Sequence, residues 1–441
     1  MAQVGLDDRE LTIEEALGVA ILLQQHDELG AAGEVYRRIL DTDPNQPDAL
    51  HFAGVLAHQQ GRSDEAIALI ERSLALAPDR ADGYSNLGIA LQAAGRLDRA
   101  IEAYRRAIVL DARHANAHSN LGVVLRAAGQ PDEAEAAYRA AIAIDPQHVD
   151  VWTNLGILFN GMKRTEEAAA CFCKVITLRP KHREARRLLA LAHCLLGETD
   201  QAVGIFEEWL DDEPDDPVAR HMLAACSGGG VPARASDEFV ERTFDSFAAT
   251  FEAKLARLSY RAPALVAAMV EESGVARAKF LDALDAGCGT GLCGPLVAPY
   301  ARRLTGIDLS DGMIALARAK GVYDELLKAE LTAYLDAHPE TFDLIVSADT
   351  LVYVGDLERA LAAAARALRP HGLLVFTLEH AAGPSPQAGY RLEYHGRYSH
   401  TPGYVADVLA AVGLTPIIAE AELRTEAGAP VAGLVVRAAK T

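Results

Sequence analysis

The chain has 441 residues, half of them hydrophobic and 24% charged, more than one compact core usually holds, which excludes a disordered or fibrous chain. Its formal charge of −20, from 62 acids against 42 bases, repels phosphate backbones, so general nucleic-acid binding is not expected. No run approaches the ~18 apolar residues of a membrane span, and the acidic start from Met1 to Glu10 lacks a signal-like apolar core, so a cytoplasmic protein with no membrane partner is expected. The six cysteines have no metal-site spacing, and Cys171 and Cys173 are too close to pair easily. They read as small buried residues of a reducing compartment, and no metal is expected.

In chain order, the first signal is a repeat. Gly54, Gly88, Gly122 and Gly156 recur every 34 residues, as do Ala32, Ala66, Ala100, Ala134, Ala168 and Ala202. Pro44, Pro78, Pro146, Pro180 and Pro214 share the register, with Ala112 in the third place, so six units tile 13–216 without a gap. Each unit predicts a helical hairpin: small residues let its two helices approach, leucine and tyrosine fill the space between units, and the closing proline stops the second helix.

The pattern Ala81-x-x-Tyr84-Ser85-Asn86-Leu87-Gly88 resembles the tetratricopeptide repeat family, in particular the superhelix of O-linked N-acetylglucosamine transferase. The resemblance implies a concave groove lined by the first helix of each hairpin. Asn86, Asn120 and Asn154 share one repeat position and predict a ladder along that groove, offering donor and acceptor to an extended protein or peptide partner; alternatively they brace neighbouring repeats. Gly18, Phe52 and Leu188 stand at the equivalent positions, so the ladder is central and short. Through Asp216 there are 36 acids and 21 bases, which suits either a basic partner or a solvated surface.

After Asp216 the period fails. Residues 217–226 predict a helix capping the solenoid, and Ser227-Gly228-Gly229-Gly230 with Pro232 predicts a flexible joint. Phe244, Phe247 and Phe251 follow at helical spacing, as a docking helix, a lid over a ligand, or both.

From Phe280 strands alternate with helices, at 280–286, 303–308, 325–329, 342–348 and 372–379, which predicts a parallel doubly wound sheet with ligands at the strands' carboxyl ends. The first strand ends in Asp285-Ala286-Gly287-Cys288-Gly289-Thr290-Gly291, whose G-x-G-x-G spacing departs from the dinucleotide fingerprint. This turn resembles motif I of class I S-adenosylmethionine-dependent methyltransferases. The resemblance implies a Rossmann-like seven-stranded domain binding S-adenosylmethionine, with Asp285, Gly287, Cys288, Gly289 and Gly291 around the methionyl part. Asp308 ends the second strand, where it can accept from a ribose diol. By the same resemblance Leu309 belongs to the cofactor site, Met313 lies by the adenine or else packs in the core, Glu330 and Leu331 mark the adenine end, and Asp349 stands beside the transferable methyl. The acids also read as helix caps, Asp311 foremost.

Over nearly the whole chain, the segment 221–261, Asp349-Thr350-Leu351-Val352-Tyr353-Val354-Gly355-Asp356-Leu357, Tyr390-Arg391-Leu392 and Gly396-Arg397-Tyr398-Ser399-His400 resemble bacterial methyltransferases that carry tetratricopeptide repeats. That family implies cofactor and reaction, not target. In the polar segment after the fifth strand, His400 or Glu379 is a candidate base and Arg397 a candidate holder of a substrate carboxylate, against the alternative of loop hydrogen bonds and salt bridges. Neither an N-P-P-Y motif nor a Pro-Cys nucleophile is present, which argues further against nucleic acid. The expected organisation is a repeat solenoid at 13–216, a cap and linker at 217–236, and a methyltransferase domain at 237–441. Two uses of the repeats stay open: recruiting a protein or peptide, or oligomerisation of an enzyme acting on a small carboxylate or other metabolite. A non-catalytic scaffold is the third possibility.

Overall fold

The computed structural model describes residues 3–6, 9–245, 248, 251–426 and 429–441. They divide into two compact units, Met1–Ala185 and Arg186–Thr441. The first opens with a small antiparallel hairpin, β1 (Gln3–Leu6) and β2 (Arg9–Thr12). Thr12 then caps α1 (Ile13–Gln25) in a reciprocal capping box with Glu15.

Five helical hairpins follow at the expected period: α1 with α2 (Leu29–Thr42), α3 (Pro47–Gln59) with α4 (Ser63–Leu76), α5 (Ala81–Ala93) with α6 (Leu97–Leu110), α7 (Ala115–Ala127) with α8 (Pro131–Ile144), and α9 (Val149–Gly161) with α10 (Thr165–Leu178). The repeated glycines are a packing device. A Cβ at Gly88, Gly122 or Gly156 would stand 2.6 Å from the ring of Tyr104, Tyr138 or Phe172, so each aromatic lies flat against bare backbone. The repeated alanines of the second helices are fully buried.

α6 ends at Leu110 although Ala112 replaces the proline. The reason is the aspartate before it. Asp111 Oδ1 accepts from Arg113 N at 2.9 Å, as Asp43 does from Asn45 N and Asp145 from Gln147 N, and this side-chain turn stops the helix without a proline.

The boundary falls inside α11 (Arg183–Leu195), which with α12 (Thr199–Asp212) makes the sixth hairpin, so the compact units divide about one repeat earlier than the expected boundary at 216. Asp216 caps α13 (Pro217–Ser227) by accepting from Val218 N and Ala219 N, and Met222 packs with Phe206 and Trp209 of α12. The expected flexible joint is pinned on both sides. His221 bonds the Gly396 carbonyl at 2.9 Å, Ala224 and Ala225 pack on Leu392 and Tyr398, and Tyr398 donates to the Pro232 carbonyl at 2.7 Å. Ala235 N then bonds Tyr353 O, and Gly355 N and Asp356 N bond Ala233 O. α14 (Asp237–Asp245) and α15 (Phe251–Arg257) lead to α16 (Ala262–Glu272).

The sheet comprises β3 (Leu281–Ala286), β4 (Ala301–Asp308), β5 (Glu325–Lys328), β6 (Phe342–Ser347) and β7 (Leu368–His380), all parallel, with β10 (Leu414–Glu426) and β11 (Ala429–Lys440) antiparallel at one side. Its order is β10-β11-β7-β6-β3-β4-β5, and the short β8 (Tyr390–Leu392) and β9 (Tyr398–His400) attach beside the end of β7. Between the strands lie α17 (Gly294–Val297), α18 (Asp311–Ala319), α19 (Leu331–Ala337), α20 (Glu358–Ala367) and α21 (Pro402–Ala411). Apolar residues cover both faces: Leu335, Leu361 and Val405 on one side, Val266, Val270 and Val297 on the other.

Candidate active site

A cavity of about 310 Å³ opens across the carboxyl ends of β3, β4 and β6. Strand order reverses between β3 and β6, which leaves a crevice there. Gly287 has φ +77°, and a Cβ on it would lie 2.1 Å from Thr350 Oγ1, so only glycine lets the first loop meet the fourth. Thr350 Oγ1 donates to Gly287 O at 3.2 Å and locks that approach.

Asp308 accepts from Gly289 N through Oδ2 and from Ser310 N through Oδ1, both at 2.9 Å. Each oxygen keeps acceptor capacity towards the cavity it lines. Burial raises its pKa against the opposing backbone donors. Asp285 lies beneath the turn rather than in the cavity wall; Tyr323 donates to it at 2.6 Å, and burial pushes its pKa up to about 7. Gly291 is likewise a packing position, set against Ala317 and Tyr323. Cys288, Gly289, Leu309, Met313, Glu330 and Leu331 line the cavity with Gly287 and Asp308. Glu330 also caps α19, accepting from Ala333 N at 2.7 Å. Ser310, not Asp311, caps α18; Asp311 pairs with Lys328 at 2.9 Å.

The far end of the cavity is built around Asp349, Arg397, Arg424 and Glu426. Asp349 has φ +56°, held by its N–H to Thr377 Oγ1 at 2.9 Å. Its Oδ2 accepts from Arg424 Nη1 at 2.8 Å, while its buried Oδ1 has no hydrogen-bond partner among the described residues. Burial raises its pKa, with Arg424 opposing. Arg424 donates also to Glu426 at 2.6 Å and to Glu379, and Arg397 bonds Glu379 at 2.6 Å and both oxygens of Glu426 at 2.8 and 3.0 Å. Burial disfavours ionised Glu379 and Glu426, but Arg397 and Arg424 outweigh it and hold Glu426 down to about 2. His395, pushed down to about 4 by burial, is neutral, so three carboxylates face two guanidinium groups.

Three expectations are corrected by this geometry. Glu379 lies behind the cavity wall, clamped by two arginines that keep it ionised and unable to take a proton readily. His400 is fully buried with Nε2 on the Gly355 carbonyl at 3.0 Å and its pKa pushed down to about 4 by burial, so it braces the β9 segment. Arg397 does line the cavity, but its bonds go to Glu379 and Glu426. Phe244 and Phe251 line the cavity with ring centroids 6.0 Å apart; Phe247 lies outside the described residues.

Arg424, Glu426, Tyr260 and Tyr353 line the same end and carried no sequence signal that singled them out. A β-bulge at Leu423 turns Leu423 and Arg424 both inward, and Gly433 opposite leaves room, since a Cβ there would meet Leu423 at 2.3 Å. Glu422-Leu423-Arg424 still alternates polar and apolar, so the bulge left no mark in the sequence.

In the first unit, a second concavity is lined by Asn86, Asn120 and Asn154 with Asp82, His114 and His148. Asn86 donates to His51 Nε2 at 3.1 Å, and burial pushes His51 down to about 4, so this asparagine braces the preceding repeat. Asn120 and Asn154 make no side-chain hydrogen bond among the described residues, and His114 bonds Asp82 at 3.1 Å.

A glycine-built backbone approach at the switch point, with a carboxylate one strand over that still has lone pairs to offer, places the second unit among the nucleoside-binding α/β enzymes. The comparisons name the family more closely. A methyltransferase domain family matches residues 284–376, and tetratricopeptide repeat families match 47–113, 85–149 and 161–226. The chain is a tetratricopeptide-repeat protein with a methyltransferase domain of the S-adenosylmethionine-dependent type. Among curated relatives, the ubiquinone biosynthesis O-methyltransferase of Thiobacillus denitrificans is 36% identical over 21% of this chain and 42% of its own length. The malonyl-[acyl-carrier protein] O-methyltransferase of Salmonella typhimurium is 28% identical over 33% of this chain and 55% of its own. The chain thus spans only about half the length of these relatives. The crystal structure of MamA is 26% identical, covering 38% of this chain and 97% of that one with a TM-score of 0.35. Among the described residues, no helix is long and apolar enough to cross a membrane.

Proposed function

We propose that this chain transfers the methyl group of S-adenosylmethionine to a hydroxyl acceptor, and that its repeats recruit a protein or peptide that carries or delivers it. The carrying observation is the cavity itself: the Gly287 cradle and the spare acceptors of Asp308 at one end, the unpartnered Asp349 Oδ1 at the other. The bound cofactor supplies an electrophilic methyl group. Asp308 would hold a ribose diol, the glycine turn would admit the chain beside it, and Met313 and Leu309 would cover the base. Phe244 and Phe251 exclude water from the apolar wall. Asp349 Oδ1 accepts the proton of the attacking hydroxyl, positioned by Arg424 on its other oxygen. The excess of one carboxylate over guanidinium at this end disfavours a carboxylate acceptor such as the malonyl group in one relative's name, and the ubiquinone biosynthesis O-methyltransferase name agrees with an oxygen target.

Asp308→Ala is expected to weaken S-adenosylmethionine by about 1.5–3 kcal/mol in calorimetry, the worth of hydrogen bonds to a charged group. Unchanged affinity removes the cofactor assignment. The acceptor is tested with tritiated cofactor in host extract. Base-stable label recovered as a methyl ether from the macromolecular fraction supports a hydroxyl on a protein or peptide, label on nitrogen or sulfur overturns it, base-labile label marks a carboxyl ester, and label confined to small molecules marks a metabolite.

The recruiting role rests on the open amides of Asn120 and Asn154. Replacing both by alanine is expected to lower macromolecular labelling, at roughly 0.5–1.5 kcal/mol per lost bond, and to leave cofactor affinity unchanged. Asn86→Ala should disturb the His51 contact instead and lower the melting temperature. Undiminished labelling in the folded double variant assigns the repeats to another role.

A further inference from the structure

We propose that Cys194 and Cys226 are a modification site, a thiol pair that a peroxide converts to a reversible disulfide. Cys194 lies at the end of α11 and Cys226 near the end of α13, and both border the cluster of Phe206, Trp209 and Met222. Their sulfurs are 3.1 Å apart, so bond formation at about 2.05 Å needs roughly 1 Å of closure, within reach of side-chain rotation. Both thiols are half-buried, which leaves a path for a small oxidant but not for a bulky one. By contrast Cys171, Cys288 and Cys293 are buried, and Cys173 is exposed.

Either thiol can donate the hydrogen bond between the two sulfurs, so either can be the attacking group. One thiolate displaces hydroxide from the peroxide O–O bond and becomes a sulfenic acid. The second sulfur then attacks that sulfur, its proton leaves with the sulfenic oxygen as water, and two electrons in all pass from the thiols to the peroxide. A dithiol reductant reverses the bond.

The pair also stands where a crosslink reaches the charged end of the cavity. α13, which carries Cys226, holds the 393–397 turn through His221 on the Gly396 carbonyl and Met222 under Gly396. That turn carries His395 and Arg397.

The test is mild hydrogen peroxide on the full-length protein, followed by thiol counting and non-reducing peptide mapping. The expected result is loss of two of the six thiols, a 194–226 linked peptide, its disappearance with dithiothreitol, and slower hydrogen exchange across 393–397 in the oxidised form. In Cys226→Ser or Cys194→Ser, dimedone should trap sulfenic acid on the remaining thiol of the pair, and no 194–226 peptide should form. Oxidation at Cys173 with the pair still reduced, or sulfinic acid on Cys194 with no linked peptide, overturns the proposal.

Discussion

Arg424→Ala is expected to lower the stability of the second unit by about 3–5 kcal/mol, the usual cost of stripping a buried charge cluster of its counterion. Arg424 is 3% exposed and is bonded to Asp349, Glu379 and Glu426, so its removal leaves three carboxylates against the single guanidinium of Arg397. Denaturant unfolding followed through Trp209 in a Trp152→Phe background reports the second unit alone. The pH dependence has a definite sign. Glu426 is held at about 2 and Glu379 below its ordinary value, so their contribution is complete above the usual Glu pKa of 4.5 and is lost as pH falls towards 2. The gap between wild type and variant should therefore narrow on acidification. A constant gap, or a loss below 1 kcal/mol, would mean that solvent reaches the cluster and replaces the arginine.

Asp349→Asn is expected to cut methyl transfer by about 10²–10⁴-fold while leaving cofactor affinity within a few-fold of wild type. Asparagine keeps the size and can still meet Thr377 through its backbone, but it cannot take a proton. Because burial raises the pKa of Asp349, transfer by the wild type should rise with pH through a value above the ordinary aspartate range and then level off. The variant should lose that limb. Retained turnover with the same pH profile would transfer the proton-accepting role to another group or to solvent. Tyr260 is the next group to test, since it lines the same cavity end with its phenol kept neutral by burial.

The repeat array was readable because its information is periodic and local. A glycine and an aromatic sixteen residues on, such as Gly122 and Tyr138, belong to one hairpin, and their contact follows from helix geometry alone. The glycine turn and Asp308 were readable for a related reason: a strand, a tight turn and a helix start impose residue types over a short stretch. Sequence also placed Asn86, Asn120 and Asn154 on one surface, and they share one concavity. Their inequality was not visible, since it depends on His51 being buried and neutral one repeat earlier.

At the charged end of the cavity, pattern stopped being informative. Glu379, Arg397 and His400 are chemically able residues in a polar segment, and nothing local says which of them meet the cavity. Arg424 joins Glu379 across 45 residues and Asp349 across 75, through a bulge in a strand laid antiparallel at the side of the sheet. The contact of Cys194 with Cys226 likewise depends on α13 folding back beside the sixth hairpin. Period, turn chemistry and hydrophobic spacing are properties of neighbouring residues, so the sequence by itself determined the repeats, the sheet and the glycine turn. Which carboxylate is locked by arginine and which keeps a free oxygen is decided by charge pairing between distant strands, and only the tertiary structure sets those distances.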